Sequence, residues 1–337
     1  LRQAATTGPA TKRFYLERVN LAIDYMIARL DRPLRLRGVA QAAGLSPHHF
    51  HRVFQGITGE SPAEFVRRQR LDWALAQIAQ SPGATAAGER GRTAGAGRVR
   101  TARGTRPPIA DIAARCGFAS LSDFSRSFRR RFGAAPSRFD LAAWQAQHRA
   151  ALDAIMPPTP PTAERARLRA LPAVPGADRF HARVRALPAR SVAYIRVRNP
   201  YAGSGVIDAA SRLIAWAERH GLAGGAWLGF QWENPEITPL ERCRYHVGVQ
   251  AEGFTPRGEV GRYRFPPMLV AEVELLGDIH DELAALRWLY GHWLPRSGYV
   301  PAHHPCFEAW VGRPFALGHE KFHLHVQLPV KPRGRGG

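Results

Sequence analysis

Cysteine is scarce in this 337-residue chain. Cys116, Cys243 and Cys306 are odd in number and far apart, which excludes a disulfide framework and a closed zinc site built on cysteines. No stretch approaches eighteen consecutive apolar residues, and the N-terminal residues lack the apolar core of a secretion signal. The expectation is a soluble, cytoplasmic protein with no membrane partner. The chain starts at Leu1 rather than Met, so the first dozen residues carry no weight. Acidic residues are few, 27 against 48 basic ones, for a net charge of +21. That surplus is uneven: residues 1–150 hold 25 basic and 10 acidic side chains, residues 183–329 hold 16 and 14. The basic half is the nucleic-acid candidate and the near-neutral half has another task. Lysine is nearly missing, with 3 of the 48 basic residues, and a nucleotide bias explains an arginine excess as readily as DNA binding does. Motif geometry has to decide.

The basic half repeats. Phe50, Arg52, Phe54, Gly59, Pro62 and Phe65 recur 74 residues later as Phe124, Arg126, Phe128, Gly133, Pro136 and Phe139. Upstream of each set a short alanine-rich helix is expected to end at Gly44 or Gly117, where glycine takes the left-handed conformation without steric cost. The next helix starts at Ser46-Pro47 or near Ser120, with serine as N-cap. Phe50, Val53, Phe54 and Ile57 form one apolar stripe, and Phe124, Phe128 and Phe132 another. His48, His49, His51 and Arg52 then fall on or beside the open face of the first copy, and Leu121, Ser122, Asp123, Ser125 and Arg126 on that of the second. Such faces suit base edges in a major groove, and they also suit the solvated surface of a small helical bundle. Ser61 to Glu64 is a capping box that starts a helix running to about Gln80, with Phe65, Leu71, Ala74, Leu75 and Ile78 as its buried positions.

These motifs resemble the tandem helix-turn-helix domain of the bacterial AraC family: a small apolar helix, a glycine turn, Ser-x-x-x-apolar-x-Arg-x-Phe, then Gly-x-x-Pro and an aromatic. The resemblance implies double-stranded DNA as partner, RNA polymerase as a further partner, and base reading by His48, His51 and Arg52 and by Leu121, Ser122, Ser125 and Arg126. Whether Arg52 and Arg126 meet bases or phosphate stays open. Residues 83–106 depart from the family pattern. They hold six arginines, one glutamate and no large apolar cluster, and are expected to be a disordered insertion. A flexible chain of that length spans about 27 Å, so heads roughly 34 Å apart stay reachable, with rigidity depending on whether the flanking helices pack together.

Residues 151–182 turn rich in proline and arginine and read as a linker. From Arg183 the pattern changes to strands at Ser191–Val197, Ala226–Trp232 and Arg244–Gln250 with a helix at Ile207–Arg219, then strands at Met268–Leu275, Cys306–Val311 and Phe322–Leu328 with a helix at Ile279–Trp293. Two strand-helix-strand-strand modules make an α+β domain with a groove between them. In Cys306–Val311 a period of two puts Cys306, Glu308 and Trp310 on one face. A carboxylate beside an indole suits an organic cation, and it is also what a solvated strand face carries. Leu228–Glu236, Arg242–Val249 and Phe307-Glu308 resemble the GyrI-like effector-binding domain. That resemblance implies a small lipophilic or cationic effector near Glu308, with Trp310, Trp232 and Tyr194 as wall residues. No histidine cluster supplies a matched ligand set, so neither metal nor cofactor is expected.

The fold expected is therefore multidomain: an all-α tandem helix-turn-helix domain over 15–150, a linker over 151–182 and a GyrI-like α+β domain over 183–330, with disordered ends at 1–14 and 331–337. The function expected is sequence-specific transcription regulation, without catalytic residues. The alternatives are a GyrI-like small-molecule hydrolase using Glu308, or a protein-binding inhibitor with a degenerate DNA-binding half.

Overall fold

A computed structural model describes residues 9–79, 108–155, 180–235 and 238–333. Among the described residues seven helices precede the sheet: α1 (Pro9–Ile27), α2 (Leu36–Ala42), α3 (Pro47–Thr58), α4 (Pro62–Ala79), α5 (Ile109–Arg115), α6 (Leu121–Phe132) and α7 (Leu141–Ile155). The local signals act as expected. The Ser46 and Ser120 hydroxyls accept from the backbone N–H of His49 and Asp123. Gly59 and Gly133 close α3 and α6 at φ 78°. Ser61 and Glu64 bond reciprocally at the start of α4.

The repeat is physical as well as textual. Phe50 and Phe54 lie 5.4 Å apart at 54°, and Phe124 and Phe128 lie 5.5 Å apart at 56°. Phe54 meets Phe65 edge to face at 5.7 Å, as Phe128 meets Phe139 at 5.4 Å. Helix α4 belongs to both units: Phe65 and Val66 enter the first core, while Leu71, Ala74, Leu75 and Ile78 enter the second beside Ile112 and Phe124. The flanks of the expected insertion therefore share one core. A second weld is Gly117, at φ 78°, where a Cβ would stand 2.2 Å from the Leu30 carbonyl oxygen of the first unit. Residues 83–106 themselves lie outside the described residues, as does most of the linker.

The second half is a single antiparallel sheet in the order β1-β6-β9-β8-β3-β4-β2-β5, with β7 beside β9. Its strands are β1 (Arg183–Leu187), β2 (Arg190–Arg198), β3 (Trp227–Gln231), β4 (Arg244–Gln250), β5 (Val260–Phe265), β6 (Met268–Gly277), β7 (Tyr299–Pro301), β8 (Cys306–Trp310) and β9 (Phe322–Pro332). Helices α8 (Gly205–Arg219) and α9 (Ile279–Trp288) cover one face, and a π-turn over Leu289–Trp293 leads to the short α10 (Leu294–Arg296). Both expected modules are present, as β2-α8-β3-β4 and β6-α9-β8-β9, while β1, β5 and β7 were not anticipated. Three boundaries differ from expectation. Helix α1 begins at Pro9, α7 runs to Ile155, and β9 continues to Pro332 because its end pairs with β7.

The uncovered sheet face packs on the helical half. Asp24 of α1 pairs with Arg196 at 2.6 Å and accepts from the Tyr194 hydroxyl at 2.5 Å. Gly258 N–H donates to Glu17 at 3.1 Å, and Trp73 of α4 stacks on His303 at 3.6 Å. Among the described residues no helix is long and apolar enough to cross a membrane.

Candidate functional sites

The two reading faces can be followed residue by residue. On α3, His48 and Arg52 are exposed one turn apart. His49 is exposed too, but its Nε2 lies 3.0 Å from the Tyr15 hydroxyl of α1, so the first helix holds it. His51 is half-buried near Glu64. On α6, Leu121 is 47% exposed, a large apolar side chain left in the open at the first turn. Ser122 and Arg126 are exposed one turn apart, while Asp123 and Ser125 are half-buried. The structure thus gathers His48 with Arg52, and Leu121 with Ser122 and Arg126, on outward faces of two similar helices whose cores are bridged by α4. Arg131, at the end of α6, turns inward to Asp72 at 2.6 Å.

Glu308 sits on the helix-covered side of β8, directly across from Gly229 of β3. A Cβ on Gly229 would lie 2.8 Å from the Glu308 carboxylate and 1.8 Å from the Tyr245 hydroxyl, so only glycine leaves this space. Tyr245 donates to Glu308 Oε2. Glu282 of α9, 6% exposed, hydrogen-bonds the same carboxylate. Burial pushes Glu308 up to about 7, against the hydrogen bonds from Tyr245 and Glu282 that favour its charged form. Burial and the Glu308 charge hold Glu282 well above the ordinary carboxylate range. Glu282 therefore keeps its proton and donates it when Glu308 ionises. Trp310 shares this side of β8 and hydrogen-bonds Tyr245.

Tyr194 and Trp232 do not line this site. The pleat sends them to the opposite sheet face, where Tyr194 is fully buried against Asp24 and Trp232 packs on the core of the first helical unit. Expecting them beside Glu308 assumed that the second sheet face would be open. Three contributors escaped the sequence reading: Tyr245, Glu282 and Gly229. Glu282 had a signal, since it lies at i, i+3, i+7 with Ala285 and Leu289, both buried. A carboxylate on a buried stripe asks for a partner.

Residues 26–67 match the model of bacterial regulatory helix-turn-helix proteins, AraC family, and residues 94–141 match a helix-turn-helix domain model. Residues 182–331 match a GyrI-like small molecule binding domain. Among curated relatives, a DNA gyrase inhibitor of Edwardsiella piscicida is 29% identical over 158 residues, 44% of this chain and 97% of that protein. The regulatory protein SoxS of Salmonella typhimurium is 28% identical over 121 residues, 36% of this chain and 91% of that one. The probable transcriptional regulator LumQ of Photobacterium leiognathi is 27% identical over 126 residues, 37% of this chain and 41% of LumQ. The chain carries AraC-family helix-turn-helix units followed by a GyrI-like small molecule binding domain.

Proposed function

We propose that this chain is a bacterial, cytoplasmic transcription regulator that reads duplex DNA with α3 and α6 and takes a small lipophilic or cationic effector beside Glu308. The observation that carries the reading is the pair of outward helix faces on two matching cores bridged by α4, in the half of the chain that holds most of the net positive charge. His48, His49, His51 and Arg52 form the first set of contacts, Leu121, Ser122, Asp123, Ser125 and Arg126 the second. Glu308 supplies the effector's counter-charge and Trp310 an aromatic wall. RNA polymerase is the partner through which promoter activity changes. Selection of bound sequences from a random duplex pool, with wild type and Arg126→Ala, tests this. A two-box motif is expected for wild type, with one box blurred in the variant; no motif at moderate salt sinks the reading.

The carboxyl pair favours one alternative, a small-molecule hydrolase, because a protonated and an ionised carboxyl side by side can serve as acid and base. Turnover lost in Glu308→Gln would support it. The absence of turnover with electrophilic small molecules leaves the regulator.

A further inference from the structure

We propose that Glu233, in the small-molecule domain, is a positioning residue for the second recognition helix α6. It lies just beyond β3 and is 3% exposed. Its Oε1 accepts from Arg244 Nε at 2.9 Å and from Gln69 Nε2 at 2.9 Å, and its Oε2 accepts from the Arg244 backbone N–H at 3.3 Å. Gln69 belongs to α4, so one of these bonds crosses between the two halves of the protein.

The next residue along the chain of contacts is Arg68. Its Nε and Nη2 are fixed by Glu60 at 3.1 and 2.7 Å. The remaining Nη1 is buried and has no hydrogen-bond partner among the described residues. It stands 3.7 Å from Asp72 Oδ2 and 3.9 Å from Glu233 Oε1. Asp72 in turn accepts two bonds from Arg131 of α6, at 3.1 and 2.6 Å. The Nη1 amino group, with two N–H bonds, therefore stands between a carboxylate held by the sheet domain and a carboxylate held by the recognition helix, just outside hydrogen-bond range of both. A shift of less than about 1 Å brings this group within hydrogen-bond range of either carboxylate. Arg68 thus carries the position of the Glu233 carboxylate toward Asp72, and through Asp72 to Arg131 of α6.

The sheet end is tied to the candidate effector site. Gln231 Nε2 donates to the Glu233 carbonyl at 2.7 Å and meets the Tyr201 hydroxyl at 3.3 Å. In the sheet register Gln231 pairs with Tyr245, whose hydroxyl donates to Glu308. Glu233 thus connects the covered face of the sheet with α6 on the far side.

The inference rests on α6 reading DNA. The test uses the full chain and the two-box duplex recovered by selection, alongside a copy with the α6 box scrambled. Glu233→Gln, which keeps the side chain's shape, is expected to weaken binding to the intact duplex about fivefold and to leave binding to the scrambled one unchanged. A merely structural loss would weaken both. Asp72→Asn is expected to be non-additive with Glu233→Gln, the double variant falling no further than the weaker single. Gln69→Leu, which deletes only the crossing bond, is expected to show the same box-specific loss and serves if Glu233→Gln does not fold. Wild-type affinity in both Glu233→Gln and Gln69→Leu, or effects of Glu233→Gln and Asp72→Asn that multiply, overturns the positioning role with DNA reading intact. Failure to recover any duplex sinks the underlying reading instead.

Discussion

Raising the pH through neutrality is expected to tighten the binding of a lipophilic cation at Glu308. Burial lifts this carboxyl to about 7. At pH 6 roughly a tenth of the sites carry the charge and at pH 8 roughly nine tenths, so affinity should rise about tenfold, or about 1.4 kcal/mol, between them. The rise should flatten above pH 8. Glu282 keeps its proton across this window because burial and the Glu308 charge hold it well above the carboxylate range, so no second tenfold follows. Titration calorimetry with tetraphenylphosphonium, in buffers of different ionisation enthalpy, measures both affinity and proton release. Close to one proton per cation should leave at pH 6 and few at pH 8. The same group affects stability with a definite sign. Its folded value is raised, so the native state binds the extra proton and its contribution is complete at acidic pH, then lost as pH rises from about 4.5 to about 7. The free protein should melt lower at pH 8 than at pH 6, and the cation should narrow that gap. A flat affinity between pH 6 and 8, or a ramp that persists in Glu308→Gln, refutes the reasoning.

Gly133→Ala should cost about 1 kcal/mol, the left-handed backbone alone, because a Cβ there meets open space. Gly117→Ala has the same φ but meets the Leu30 carbonyl, and should cost about 1–3 kcal/mol more in denaturant unfolding; equal costs would mean the two helical units are not welded there. Gly229→Ala should displace the Tyr245 hydroxyl and abolish cation binding while lowering the melting temperature of the sheet domain, and unchanged calorimetric affinity would contradict the cradle. Arg126→Ala should weaken DNA binding. If its guanidinium meets phosphate, the slope of log affinity against log salt should become shallower by about 1, whereas an unchanged slope with one blurred base position marks a base contact.

Much of the helical half was legible in the sequence because its determinants are local. Serine caps, left-handed glycines and phenylalanines at helical spacing each act within one or two turns, and all five buried positions expected on α4 are buried. The sheet was legible as alternation. Alternation reports that a strand has two faces but not what covers each one. Glu308 and Trp310 were placed together because they share β8. Tyr194 and Trp232 were misplaced because covering their face depends on another domain, a contact between residues 170 positions apart in the case of Asp24 and Tyr194. Edge strands β1, β5 and β7 were missed for a related reason. Arg183, Val184, Arg185 and Ala186 of β1 are all exposed, so no apolar period marks it, and pairing with β6 alone makes it a strand.

The contact between the two halves is built from charge to an extent that bears on how the protein could respond to a ligand. Arg196, Arg244, Arg68 and Glu233 are nearly removed from solvent, and Asp24 is half-buried. Such groups gain their partners at the expense of hydration, and the two terms come close to cancelling. An apolar contact of similar extent would be far harder to open, since separation would expose its surface to water. Apolar patches cross the contact as well, such as Trp73 on His303 and Trp232 on the first helical core. Those patches fix where the halves meet, while the charged network sets how tightly. A modest change at the carboxyl pair needs only to compete with a near-balanced network. The slack around Arg68 Nη1, with two carboxylates just out of hydrogen-bond range, is where that balance is narrowest.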